Sequence, residues 1–277
     1  MTAKPIPEAK RMAGTGGGLM LFAIAYLLFL YVPVLLLPLF SFNDSIFVAF
    51  PLRGFTTRWY EQMFADQEML KALSASLRVG GVVAIVSTIL ALLGAKAVTR
   101  YRMPGQGVVT GMIMLPLFIP EIILGISLLI LINWLNLQLS LVTVAIGHII
   151  LCTPFAMAVL TSRLEGFDKS LEEASMDLGE GPWMTFWRVT FPLAAPGIVS
   201  SLLLSFIVSF DEFLLSFFLS GIQPTLPVYI WSQLRFPARL PGVLSLGALI
   251  LISSCVLVFF AEWVRQLGTS ERKVGVV

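Results

Sequence analysis

Charged residues are what this chain has least of: Asp, Glu, Lys and Arg make up 12% of its 277 residues, while 57% are hydrophobic. Soluble domains carry about a quarter charged residues, and a mean hydropathy of +0.92 excludes a soluble globular protein. Histidine is nearly absent. With His148 alone, a zinc site built on several imidazoles is excluded. The two cysteines, Cys152 and Cys255, both fall inside apolar stretches, where a thiol acts as a small hydrophobe and no disulfide framework is suggested. The net charge of +2 comes from basic residues scattered between apolar runs, with no tract that could follow a nucleic acid. A glycine-rich loop followed by lysine, the Walker pattern that cradles phosphates, is missing. The chain is therefore not expected to hydrolyse ATP alone.

What is present is long apolar runs. Counted at about 20 residues per crossing, they give six spans, near 19–41, 78–98, 107–132, 141–161, 193–219 and 243–264. Runs of this length are helices, not barrel strands, so the fold class is an all-α integral membrane protein with six transmembrane helices. The first run follows Lys4, Lys10 and Arg11, but it exceeds the core of a signal peptide, about 7–15 residues, and reads as a retained helix. Gly16, Gly17 and Gly18 read as the flexible end of a short tail. With the N-terminus inside, 12 of the 18 Lys and Arg residues fall on inside segments, leaving Arg53, Arg58, Lys71, Arg78, Arg235 and Arg239 outside. That imbalance places both termini, and the loop between spans four and five, in the cytoplasm.

This loop is a polar island, Ser170-Leu-Glu-Glu173-Ala174-Ser175-Met-Asp177-Leu-Gly179, followed by Val189-Thr-Phe-Pro192. Ser170 is a good N-cap, and Glu173 three residues on completes a capping box. Leu171, Ala174, Ser175 and Leu178 then share one side of a two-turn helix, and Gly179 stands where a left-handed residue ends it. Pro182 suits the first turn of the next helical piece, and Pro192 marks the start of span five. An isolated helix of about eight residues is marginal in water. It must dock on its own membrane helices or on another protein.

The spacing Glu173-Ala174-Ser175-x3-Gly179-x9-Val189-x-Phe191-Pro192 resembles the EAA loop of binding-protein-dependent ABC importer permeases, whose usual pattern is Glu-Ala-Ala-x3-Gly-x9-Ile-x-Leu-Pro. Glu173, Ala174, Gly179 and Pro192 match, and Ser175, Val189 and Phe191 are close replacements. Gly54 to Tyr60, the His148 helix, Ser162-Arg163-Leu164 and Phe210-Asp211-Glu212-Phe213 are similar to the second permease of the spermidine/putrescine-type subfamily.

The resemblance implies a type I importer half with a cytoplasmic coupling helix, in which Glu173, Ala174, Ser175, Asp177 and Gly179 engage an ATPase subunit. It implies a multi-pass protein of the bacterial inner membrane that works beside a second, non-identical permease, two ATPase subunits and a periplasmic binding protein. No cofactor is expected in this chain, since ATP and magnesium would belong to the ATPases. The organisation implied is a tail, first helix and periplasmic loop over 1–69, a permease core over 70–264 holding the loop at 170–192, and a cytoplasmic tail over 265–277. The cargo implied is polyamine-like. The alternative is a different small solute, such as an amino-acid derivative, an opine-like compound or an anion, because the last outer loop carries Arg235 and Arg239.

Ionisable residues at membrane depth form a second group. An acid at a helix centre costs about 2.5–3.5 kcal/mol on insertion scales, so Glu121, Asp211 and Glu212 need partners or a wet path. Pro116 and Pro120 loosen span three just before Glu121. As neighbours on a helix, Asp211 and Glu212 would point about 100° apart. For a cationic cargo, Glu121 and Asp211 would offer paired acceptors with Glu212 as an auxiliary; the other reading is structural pairing with donors on adjacent helices. His148 reads as a packing residue, and Glu262 beside Trp263 as an interfacial one. Two other classes are weaker. A Ser127–His148 dyad would suggest an intramembrane protease, but it leaves the polar island unexplained, and no paired, inverted pattern of broken helices, as expected of a secondary transporter, is evident in the sequence. In the outer loops, residues 53–64 are expected to form a surface helix with Trp59, Tyr60 and Phe64 as an aromatic anchor. The segment 223–239 is expected to dip between helices or rest on the bilayer.

Overall fold

The computed structural model describes residues 16–101 and 104–270, with side chains described for 18–101 and 104–256. Lys4, Lys10, Arg11, Arg102, Arg272 and Lys273, and the side chains of Glu262, Trp263 and Arg265, lie outside the described residues. The described residues are mostly helical, with a single isolated bridge between Asn43 and Phe55. Among the described residues, five helices are long and apolar enough to cross a membrane, and a bent pair, taken as one span, brings the number to six.

The chain divides into two units. The first holds α1 (Gly16–Ser41), α2 (Arg58–Ala65) and α12 (Leu240–Ser270). Gly16 to Gly18 lie in the first turn of α1 and do not form a flexible tail end. α1 is apolar on every side and exposed along nearly its whole length, the pattern of a helix surrounded by lipid or other spans. The loop after it is pinned by Asn43, whose carbonyl accepts the Trp59 indole N–H at 2.9 Å and whose Oδ1 accepts the Arg53 N–H at 3.0 Å. Trp59 is therefore buried, and the Tyr60 hydroxyl hydrogen-bonds Ser41 at 2.7 Å. Of the three aromatics expected to anchor in lipid, Phe64 alone is an exposed ring.

The second unit spans Asp66–Gln233. Its centre is α3 (Gln67–Arg100), α6 (Leu141–Glu165) and α9 (Phe191–Asp211), packed on one another. The buried stripe of α3 runs through Ala72, Ser76, Val79, Val83, Ser87, Ala91 and Ala95, a three-to-four-residue spacing of small side chains that lets helix backbones approach closely. Two apolar clusters fill the bundle. One gathers Val79, Val83, Leu124, Val144, Leu215 and Leu219; the other gathers Ala91, Ala95, Met157, Leu160, Leu164 and Ala194.

Three spans differ from their apolar runs. α3 begins at Gln67, not 78, because Asp66 caps it, accepting the Glu68 and Met69 N–H groups at 2.9 and 3.1 Å; its first turns are too polar to register as membrane. The run 107–132 is two helices, α4 (Gln106–Met114) with a 3-10 turn to Leu117, and α5 (Glu121–Trp134), bent by 100°. Pro116 and Pro120 cause the bend, since neither can donate to the helix ladder. The run 193–219 also breaks: α9 stops at Asp211, Glu212 is extended, and α10 (Leu214–Leu219) follows.

Candidate functional site

The polar island forms α7 (Ser170–Asp177). The Lys169 carbonyl already accepts the Glu172 and Glu173 N–H groups at 3.0 and 3.1 Å, so Ser170 lies inside the first turn and the Ser170–Glu173 capping box does not form. Asp168 caps the turn instead, its Oδ1 accepting the Ser170 N–H at 3.0 Å. That backbone hydrogen bond, with a second to the Ser170 side chain, holds the exposed Asp168 carboxyl below its usual value. The other end matches expectation. Gly179 has φ +92°, its N–H reaches the Met176 carbonyl at 2.9 Å, and the Glu180 N–H reaches Ser175 at 3.2 Å. The two bonds make a Schellman closure that needs a left-handed residue at its corner.

α7 is oriented against the usual rule. Leu171, Ala174 and Leu178 face outward, Leu178 being 87% exposed, and Glu173, Asp177 and Gly179 are exposed beside them. Ser175 turns inward to the Thr185 hydroxyl at 3.1 Å. The residue that α7 buries is an acid, Glu172. Its Oε2 accepts Arg100 Nε at 2.8 Å, and its Oε1 accepts the Thr190 hydroxyl at 2.5 Å. The Arg100 guanidinium also lies 4.6 Å from the centre of the Phe167 ring. Sequence reasoning missed Glu172, because two adjacent glutamates on a short helix look alike until burial separates them.

α8 (Pro182–Thr185) follows with Pro182 in its first turn, as expected, and runs through a π turn at Phe186–Thr190 into α9. Trp183, Phe186, Trp187 and Phe191 pack ring against ring, mostly edge to face, along this stretch, Arg188 pairs with Glu180, and Lys96 sits over Phe186 at 4.7 Å.

The intramembrane acids cluster at the helix breaks. Glu121 opens α5 just past the 100° bend, and Asp211 ends α9; both are exposed. Glu212 is buried, lies off the helix and accepts the Leu215 N–H at 3.0 Å, so it does not share a helical face with Asp211. His148, fully buried on α6, spans the second break: Nδ1 is 2.8 Å from Ser209 on α9, and Nε2 is 3.1 Å from Ser216 on α10. Both ring nitrogens are thus engaged, and none is left for Ser127.

Near the N-terminal end of α3 lies a cavity of about 640 Å³ lined by Glu68, Lys71, Ser74, Arg78, Tyr229 and Gln233, among others. Its far wall is α11 (Leu226–Gln233), which buries Leu226 and Tyr229. Glu68, Lys71, Ser74 and Arg78 come from one end of α3, and the fold brings the distant Tyr229 and Gln233 to them.

The chain is thus a set of broken and continuous apolar helices with an outward-facing capped helix between two of them. Over residues 85–267 the chain matches the family described as the binding-protein-dependent transport system inner membrane component, and it belongs to that family. It is 34% identical over 253 residues to the putrescine transport system permease protein PotI of Escherichia coli strain K12, covering 88% of this chain and 89% of that one. It is likewise 34% identical over 251 residues to the spermidine/putrescine transport system permease protein PotC of the same strain, covering 90% and 93%. In fold it is similar to a chain of a bacterial ABC transporter involved in the import of the acidic polysaccharide alginate, with TM-score 0.70 and 18% identity over 95% of this chain and 99% of that one. The protein is a multi-pass permease of the inner membrane, and its relatives are transport subunits, not enzymes.

Proposed function

We propose that this chain, with its permease core over 70–264, is driven by ATPase subunits docked on α7 and that both its termini are cytoplasmic. Glu173, Ala174, Asp177 and Gly179 form the outer face of the docking knob, and Ser175 braces it from behind through Thr185. The observation that carries the reading is the orientation of α7: Leu171, Ala174 and Leu178 face solvent while Glu172 points inward. Exposing apolar side chains on a short helix held in a fixed shape makes sense where a partner covers them. ATP and magnesium belong to that partner. A second permease and a periplasmic binding protein complete the importer. The test is co-purification and uptake with Glu173→Lys and Gly179→Trp: both variants should reach the membrane and lose ATPase docking or uptake, and normal values for both would sink the assignment.

For the cargo, the same reading takes a polyamine-like cation, with Glu121, Asp211 and Glu212 as acceptors along the path. The support is the placement of acids at two helix breaks, together with the putrescine and spermidine/putrescine permeases among its relatives. A second reading, an anionic or zwitterionic solute, is favoured by Lys71 and Arg78 on the cavity wall. Mass spectrometry of the ligand carried by the co-purifying binding protein separates them. A polyamine supports the first, and a carboxylate overturns it while leaving the importer assignment in place.

A further inference from the structure

The ion pair of Arg100 and Glu172 lies outside the docking knob, yet it is the most deeply buried charged contact around α7. The two side chains are 7% and 11% exposed, so water and salt screen the pair little. Burial of this kind is poor evidence of stabilisation, since apolar residues of the same volume would often hold α7 as well or better. A charged pair does what an apolar contact cannot: it fixes register and direction.

We infer that Glu172 is the positioning residue that links the docking helix to the membrane bundle, with Arg100 as its partner. The inference rests on the reading of α7 as the docking site of the ATPase. One carboxylate reaches two spans. Oε2 takes the last residue of α3, and Oε1 takes Thr190 at the end of the π turn that leads into α9. Single π turns inside helices recur at functional positions, where they reaim the ladder. A displacement of α7 therefore acts on α3 and α9 together.

α3 is suited to carry that displacement. Its 34 residues span about 51 Å, and its buried face is packed along most of that length. Toward its other end, Ser76 Oγ accepts the buried Leu226 N–H at 2.8 Å, which ties α11, and so the wall of the cavity, to the same helix. The grip on Arg100 is single. Arg100 Nη2 is buried with no hydrogen-bond partner among the described residues.

The test uses the complete transporter, with its ATPases and binding protein, in proteoliposomes. Glu172→Gln keeps size and hydrogen-bonding capacity, and Arg100→Gln, though shorter, keeps an N–H donor; each removes the charge pair. Each should retain co-purifying ATPases and lower the cargo moved per ATP hydrolysed by about tenfold. Arg100→Lys should recover most of that ratio. The double variant should be no worse than the worse single variant, because the two groups act as one unit. Native coupling in Glu172→Gln, independent multiplying losses in the double variant, or loss of the ATPases themselves would each overturn the inference. Retained docking and uptake in Glu173→Lys and Gly179→Trp, measured in parallel, would instead remove the docking reading on which it rests.

Discussion

Glu212 accepts the backbone N–H of Leu215 at 3.0 Å, closing the first turn of α10 at the point where α9 has ended. A carboxylate in this position serves the helix before it serves any cargo, because the first N–H groups of a helix have no partner within it. Replacement of such a cap by alanine costs about 1 kcal/mol. Glu212→Ala is therefore expected to lower the thermal unfolding midpoint of the purified permease complex. Glu212→Gln keeps an acceptor oxygen and should unfold near the native midpoint. Uptake lost in Glu212→Gln at unchanged stability would assign the charge to transport; uptake retained there would assign Glu212 to structure.

The bridge made by His148 leads to a larger loss of stability. Removing the ring leaves Ser209 and Ser216 facing a void, and each unsatisfied buried hydroxyl costs about 1–3 kcal/mol. His148→Ala should be among the least stable single variants of the bundle. Complexes that do assemble should still transport, since the ring packs the break and performs no chemistry. Transport abolished at native stability would give His148 a direct role.

Much of this was legible in the sequence, and the failures have physical causes. The bend before Glu121 could be anticipated from Pro116 and Pro120, because proline lacks the donor a helix needs. The break after Asp211 could not. No proline or glycine marks Phe210-Asp211-Glu212-Phe213, and the chain leaves the helix where its own carboxylate is used to start another. Gly179 was read correctly because its left-handed turn is a local requirement. The sequence offers Ser170 as the N-cap, whereas α7 already includes Ser170 and its N-cap is Lys169, a one-residue difference within the margin to which helix ends can be placed. Glu172 was passed over because its role depends on Arg100, seventy-two positions away.

The Asp168 cap makes a pH prediction. Its carboxyl is held below its usual value by the Ser170 hydrogen bonds, so the folded state binds that proton less readily than the unfolded chain. The contribution is present above the unfolded value and is lost as pH falls through the depressed folded one. Asp168→Ala should weaken the start of α7 at neutral pH, seen as faster amide exchange over residues 170–173. The difference from native should shrink once the pH drops below the carboxylate range. A difference that stayed constant with pH would mean that the cap does not act through its charge.

Gly179 allows a graded test of whether the shape of the α7 corner is what the docking partner reads. At φ +92° a side chain strains the backbone, with asparagine the most tolerant of the larger residues and β-branched ones the least. A Cβ there meets nothing within 4 Å in this chain, so any loss comes from the backbone or from a partner, not from internal clash. If conformation dominates, ATPase co-purification should fall in the order glycine, asparagine, alanine, valine, following the strain. If surface fit dominates, alanine, the smallest addition, should be the mildest and asparagine worse. The ranking of Gly179→Asn against Gly179→Ala therefore decides between a corner recognised for its geometry and one recognised for its lack of a side chain.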